Sequence, residues 1–187
     1  MGLQNIINPD AFTHVCRAEE YKDKGDYNQA IIEYNKAIQI DPGFAFLYSG
    51  RGQAYYDKNE FDRAIKDFNE ALQLNIGGDN AQVSVTYMLR GITYVAKKEY
   101  KLAIADYDKA IEIDQNNAGA YVSYGSMYWI IGDQDQSDGN FDRAIINYNK
   151  AITKMETAIQ IDPDLGYVKN VLESVRQKLK IAETRRK

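Results

Sequence analysis

The sequence predicts an all-α fold, a solenoid of stacked helical hairpins, on three observations. One phrase recurs along the chain, the residues between recurrences carry helical apolar spacing, and only three prolines interrupt 187 residues. In the phrase, Tyr27, Ala30 and Ile31 follow Gly25-Asp26. It returns as Phe61, Ala64 and Ile65 after Asn59-Glu60, as Tyr100, Ala103 and Ile104 after Lys98-Glu99, and as Phe141, Ala144 and Ile145 after Gly139-Asn140. The alanines stand 34, 39 and 41 residues apart. A second small residue follows seven later (Ala37, Ala71, Ala110, Ala151), and a third series precedes them (Ala18, Gly52, Gly91, Gly125). The basic period is 34, with about five residues added before Gly91 and seven after Gly125, the signature of a repeat array.

Each period divides into two helices. Apolar residues at spacings of three and four, as in Phe61, Ile65, Phe68 and Leu72, describe one helical face. The spacing predicts helices at about 10–23 and 27–40, then 44–57 and 61–74. A displaced third pair is expected at 80–97 and 100–113, and an enlarged fourth at 117–131 and 141–161. Connections this short force antiparallel neighbours. Small residues let the backbones approach where helices cross, and aromatics fill the space between. Gly77-Gly78 breaks the second unit, after which Asp79 or Asn80 is placed to cap a lengthened helix. In the fourth unit, residues 132–139 read as a polar loop. Ala151-Ile152 is echoed by Ala158-Ile159 two helical turns on, so that helix is longer by roughly 10 Å. After Asp162-Pro163, a last helix at 164–183 puts Val168, Val171, Leu172, Val175, Leu179 and Ile181 on one face. Such a helix covers the end of the stack, as solenoids require. The chain is thus expected to be a single domain over 1–187, with repeats at about 11–44, 45–78, 84–117 and 118–163.

These positions resemble the tetratricopeptide repeat family. The large aromatic–Gly–Tyr–Ala–aromatic–Ala pattern stands here as Tyr48, Gly52, Tyr55, Ala64, Phe68 and Ala71. It recurs as Tyr87, Gly91, Tyr94, Ala103, Tyr107 and Ala110, then as Tyr121, Gly125, Tyr128, Ala144, Tyr148 and Ala151. The first unit has His14 in the large-aromatic place. The resemblance covers roughly residues 11–163. It implies a right-handed superhelix whose first helices line a concave groove, and a protein or peptide as the partner bound there. Helical projection then gives the partner-binding candidates: Phe12, Val15 and Glu19; Phe46, Ser49, Gln53 and Tyr56; Val85, Met88, Leu89 and Ile92; and Val122, Ser126, Trp129 and Ile130. The set is rich in the apolar, aromatic and Met side chains favoured at contacts, although Ile92 and Ile130 also suit packing between units. Members that clamp a chaperone's C-terminal carboxylate use Lys, Arg and Asn on the inner helices. The corresponding places here hold Val15, Glu19, Gly50, Val85 and Leu89, so such a carboxylate is not expected as ligand.

Other function classes find little support. A net charge of -4 and a pI near 5.1 disfavour nucleic acid as partner, which calls for a dominant basic face. Cys16 is the only cysteine, so no intramolecular disulfide can form. No run of about 18 apolar residues is present to span a membrane. No leader is visible at the N-terminus, which favours a cytoplasmic protein. Met1-Gly2 suggests myristoylation, but Ile6 stands where that motif wants Ser or Thr. The protein is not expected to be an enzyme, and no cofactor motif is present. His14 and Cys16 project about 200° apart around one helix and cannot cooperate; His14 takes a packing position. The acidic stretch tests poorly as a calcium loop from Asp133, because Asp138 replaces the required Gly and Ala144 the Glu. It reads as a solvated connector.

Arg17, Arg51 and Arg90 occupy one repeat position, with Glu33, Asp67 and Asp106 sixteen residues later. The fourth unit changes both members, to Tyr124 and Asn147. That joint change points to a structural pair within each hairpin more than to an arginine ladder for anionic ligands. The leading expectation is therefore an interaction scaffold with an apolar groove. The alternative is a self-assembling homo-oligomer using the same patch or the long terminal hairpin. A third possibility, attachment to a membrane surface, rests on Arg176, Lys178, Lys180 and Arg185-Arg186-Lys187.

Overall fold

A computed structural model describes residues 7–75 and 78–186. Among these the chain is all-α, with nine helices: α1 (Pro9–Asp23), α2 (Tyr27–Ile40), α3 (Ala45–Asp57), α4 (Phe61–Leu74), α5 (Asn80–Ala96), α6 (Tyr100–Ile113), α7 (Ala118–Ser137), α8 (Phe141–Ile161) and α9 (Gly166–Arg185). Met1, Gly2 and Ile6 of the expected acylation motif, Gly77 of the glycine break and Lys187 of the basic tail lie outside the described residues. The chain forms two compact units, Met1–Glu99 with α1–α5 and Tyr100–Lys187 with α6–α9.

Side-chain oxygens start several helices. Asn8 caps α1, with Pro9 pre-set at its first position; Asp26 caps α2, Asp79 caps α5 and Asn117 caps α7, each accepting from a backbone N–H of the first turn. The turns that follow α1, α3, α5 and α7 share one geometry. A residue with positive φ occupies it each time: Gly25 (74°), Asn59 (62°), Lys98 (61°) and Gly139 (77°). The next N–H reaches back five residues, as Asp26 to Tyr21, Glu60 to Tyr55, Glu99 to Tyr94 and Asn140 to Asp135. This is the Schellman arrangement, which satisfies the last carbonyls and reverses the chain within three residues. The recurring phrase begins at these turns.

In the first unit, Ala11, Val15 and Ala18 of α1, Tyr34 and Ala37 of α2 and Leu47 of α3 form one buried cluster, with Phe44 and Tyr48 against it. Two glycines set the spacing. A Cβ on Gly52 would lie 2.8 Å from the Phe68 ring of the hairpin partner α4, and one on Gly50 would lie 2.5 Å from the Tyr34 ring of α2. Any side chain there would push the helices apart.

The middle pair of the expected arginine series forms as anticipated. Arg51 Nε and Nη2 donate to the two Asp67 carboxylate oxygens at 2.7 Å each, and Nη1 donates to Asn35 Oδ1 at 2.6 Å. One guanidinium therefore ties α3 to both α4 and α2, with Tyr48 and Tyr55 rings on either side. The first pair does not form. Glu33 is held by His14 Nδ1 at 2.6 Å and Lys36 at 2.5 Å, while Arg17 is exposed. His14 sits three residues nearer the helix start and takes the carboxylate first. Arg90 donates to Asn69 Oδ1 of α4 at 2.5 Å.

The second unit corrects the reading of the insertion. Residues 133–137 are helical, so α7 runs six residues beyond its expected end. A Cβ on Gly132 would lie 2.8 Å from the Tyr148 ring, sixteen residues downstream, as Gly52 lies against Phe68. Gly125 instead faces Met155 and Ala151, one heptad farther from the turn. The seven added residues are thus a heptad of helix in α7, matched by the Ala151–Ala158 heptad in α8, and the turn after it is unchanged. With that register Asn147 faces Asp135, donating at 2.7 Å, and Tyr124 stacks on Tyr128 and packs near Tyr107. Tyr124 and Asn147 are not a pair. The supposed acidic connector is engaged: Asp133 accepts from the Tyr148 hydroxyl and from Lys178, and Asp135 accepts from Asn147 and pairs with Arg143.

Helix α9 buries Val168, Leu172, Val175 and Ala182 and packs on α8. Ile181 points outward, because Ala182, a heptad after Val175, takes the inner position. Three cations proposed for a membrane surface are paired: Arg176 with Glu156 and Glu173, Lys178 with Asp133, and Arg186 with Asp142. No helix of the described residues is long and apolar enough to cross a membrane.

Candidate peptide-binding hollow

The first helices of the repeats in the first unit, α1, α3 and α5, border a hollow of about 410 Å³. Its walls combine Phe46, Ser49, Gly50 and Gln53 of α3 with Ala81, Gln82, Val85, Thr86 and Leu89 of α5, and Glu19 of α1 at one side. Phe46 and Val85 are each 40% exposed, although a helix pair normally hides such residues. Gly50 keeps the wall low. The Ser49 and Thr86 hydroxyls are spent on Phe46 and Gln82 carbonyls of their own helices, so those positions present mainly carbon to the hollow.

Charge enters from α1. The Glu19 carboxylate accepts from the Tyr34 hydroxyl and from Lys22 Nζ, the latter at 3.0 Å; Lys22 also donates to Gln53 Oε1 at 3.2 Å. Burial, followed by the bond to Glu19, pushes the Tyr34 hydroxyl far above its ordinary value, so it stays a donor. Burial pushes the Asp57 carboxyl up, while the Lys22 ammonium draws it down.

Sequence projection finds much of this site. Glu19, Phe46, Ser49, Gln53, Val85 and Leu89 line it together. Phe12 lies on the same helix as Glu19 and is 54% exposed, but it is not in the wall. Val15 is a correction: at 5% exposure it belongs to the α1–α2–α3 core and offers no surface. The helical wheel placed it inward correctly, but inward there means toward α3. Tyr56 is half-buried, its ring 5.7 Å from Phe61. Met88 and Ile92 are half-buried on α5 outside the wall. Projection missed Gly50, Ala81, Gln82 and Thr86, which are small or polar and carry no contact signature by themselves.

In the second unit Val122 and Ser126 are half-buried on α7, and Ile130 is exposed. Trp129 is half-buried, with Lys178 of α9 5.8 Å over its ring and its Nε1 buried without a hydrogen-bond partner among the described residues. The terminal helix thus lies against Trp129, and the sequence could not reveal this because α9 has no counterpart in the repeat pattern.

Comparison with known proteins agrees with this geometry. The tetratricopeptide repeat model matches residues 44–116, and a second TPR repeat model matches residues 18–59. No curated protein matches the chain by sequence. Among solved structures, the Cut9–Hcn1 hetero-tetramer of the APC/C is similar with a TM-score of 0.70 at 16% identity, over 88% of this chain. This chain spans only 29% of that one. MamA from residue 41 to the end, from Desulfovibrio magneticus RS-1, gives 0.65 at 17% identity, over 96% of this chain and 93% of that one. The second TPR of Spaghetti (RPAP3), solved with the HSP90 peptide SRMEEVD, gives 0.51 at 23% identity, over 57% of this chain and 94% of that one. These identities carry the fold alone. With the repeated phrase, its shared turn geometry and both family models in agreement, the chain belongs to the tetratricopeptide repeat family.

Proposed function

We propose that the protein is an interaction scaffold that captures an extended peptide segment of a partner protein in the α1–α3–α5 hollow. The observation that carries this reading is the exposed apolar wall of Phe46, Val85 and Leu89 beside a preformed hollow of about 410 Å³. That volume lies within the range of pockets able to take side chains, roughly 300–1,000 Å³. A groove formed before binding spares the partner part of the ordering cost, and apolar anchors supply the affinity. Peptides selected from a random display library by the wild-type chain test the proposal. Val85→Glu, at an exposed helical position, is expected to weaken them at least tenfold while helicity and Tm stay unchanged; undiminished affinity would refute the reading.

The same hollow disfavours a chaperone C-terminal carboxylate. Glu19 occupies its rim, and Val15 is buried in the core. A labelled SRMEEVD peptide is expected to show no saturable binding at about 100 µM, which would leave its Kd in or above the millimolar range.

Self-association is a second reading, favoured by the exposure of Tyr167 and Ile181 on α9 and Ile146 on α8. Light scattering across a hundredfold concentration range separates the two: a constant monomer mass removes self-assembly.

A further inference from the structure

We propose that the hollow selects peptides in which a lysine or arginine stands next to the apolar anchor; this rests on the peptide-binding reading above. Glu19 is the only ionised side chain in the wall. Its carboxylate shares one ammonium, Lys22 Nζ, with Asp57, whose carboxyl feels the same positive charge. Two carboxylates facing one cation leave an unbalanced negative charge at this edge. Glu19 and Asp57 also fall in the last turns of α1 and α3, where the helix dipole places further negative potential. The upward displacement of Asp57 agrees with a carboxyl that is incompletely compensated there.

The neighbouring polar groups suit the same ligand. Gln53 Oε1 and the Glu19 carboxylate are acceptors set around an ammonium-sized space that Lys22 enters from the α1 side. An incoming Lys or Arg can take the remaining acceptor capacity of these two groups without a new buried charge being left alone. Because Glu19, Gln53 and Leu89 border one hollow, the cation and the anchor must be near neighbours in the peptide. An acidic residue at that place would meet Glu19 and Asp57 at close range, and like charges brought together in this way are rejected.

Charge scanning of the display-selected peptides tests the inference. Each selected peptide is remade with Lys, Gln or Glu beside its apolar anchor and titrated by fluorescence polarisation against three full-length proteins: wild type, Glu19→Gln/Asp57→Asn, and Asp57→Asn alone. For wild type, the Lys form is expected to bind at least tenfold more tightly than the Glu form, with the gap narrowing as salt rises. In the double variant the gap should fall below threefold. Asp57 is exposed, so Asp57→Asn folds even if the double variant does not, and an intermediate gap is expected from it. Val85-sensitive peptides whose affinity ignores the charge, or prefers Glu, overturn the inference and leave the hollow as the binding site. A library that yields no Val85-sensitive peptide overturns the binding reading itself, and the inference with it.

Discussion

At the scale of single residues, two side chains behave otherwise than their type suggests. Trp129 has the composition of a binding anchor, yet it supports the terminal helix, with Lys178 above it and its Nε1 unpaired. A buried unmatched donor costs about 1–3 kcal/mol, and an ammonium over an indole returns roughly 0.5–2 kcal/mol. Trp129→Phe is therefore expected to change unfolding free energy by less than about 1 kcal/mol. Trp129→Ala should destabilise toward the lower end of the roughly 3–5 kcal/mol of large aromatic truncations. Denaturant unfolding distinguishes them; a neutral Trp129→Ala would mean that the ring packs on nothing.

Glu33 is the second. Burial alone would push its carboxyl up, but hydrogen bonds from Lys36 and His14 overcome this and hold it below the ordinary carboxylate range. A lowered native value means that Glu33 stabilises the fold above its unfolded value of about 4.3, and that this contribution is lost as pH falls through the native one. Glu33→Gln should therefore flatten the acid limb of a stability–pH curve and change little of its shape above pH 6. The residue-level error in the sequence reading has the same origin. Repeat register assigns Glu33 to Arg17, but which cation reaches a carboxylate depends on side-chain placement, and His14 is nearer.

At the scale of helices and turns, the register of α7 and α8 is the main departure from what the pattern implies. Counting small residues from the N-terminal side aligns Gly125 with Gly52, whereas contacts counted from the turn align Gly132 with it. Both glycines are one heptad apart on the same face, so the sequence alone permits either choice. The ring of Tyr148 decides it. Gly132→Leu is expected to destabilise by roughly 1–3 kcal/mol through overpacking against that ring, while a solvated loop at this position would tolerate leucine. The turns were more legible, because Gly25, Gly139 and Asn59 are types that accept positive φ. Lys98 is not, and adopting 61° costs it about 1–2 kcal/mol. Lys98→Gly should recover part of this, a net gain of about 0.5–1 kcal/mol once glycine's greater unfolded-state freedom is counted; thermal unfolding reads it as a raised Tm.

For the whole molecule, the helical hairpins, their order and the capping role of α9 were legible because a repeat states each packing position several times. The hollow was half legible. Its apolar members follow from projection, while Gly50, Ala81 and Thr86 enter only because neighbouring helices leave space above them. Val15 shows the limit: a wheel distinguishes inside from outside but not one neighbour from another. Binding through α1, α3 and α5 is tested most directly by methyl chemical-shift mapping of the selectively labelled full-length protein with a display-selected peptide. The largest shifts are expected at Val85 and Leu89, saturating with peptide, while Val168 and Val175 beneath α9 stay unmoved. Saturable shifts centred on Ile146 or Ile181, with Val85 and Leu89 silent, would contradict binding in the hollow.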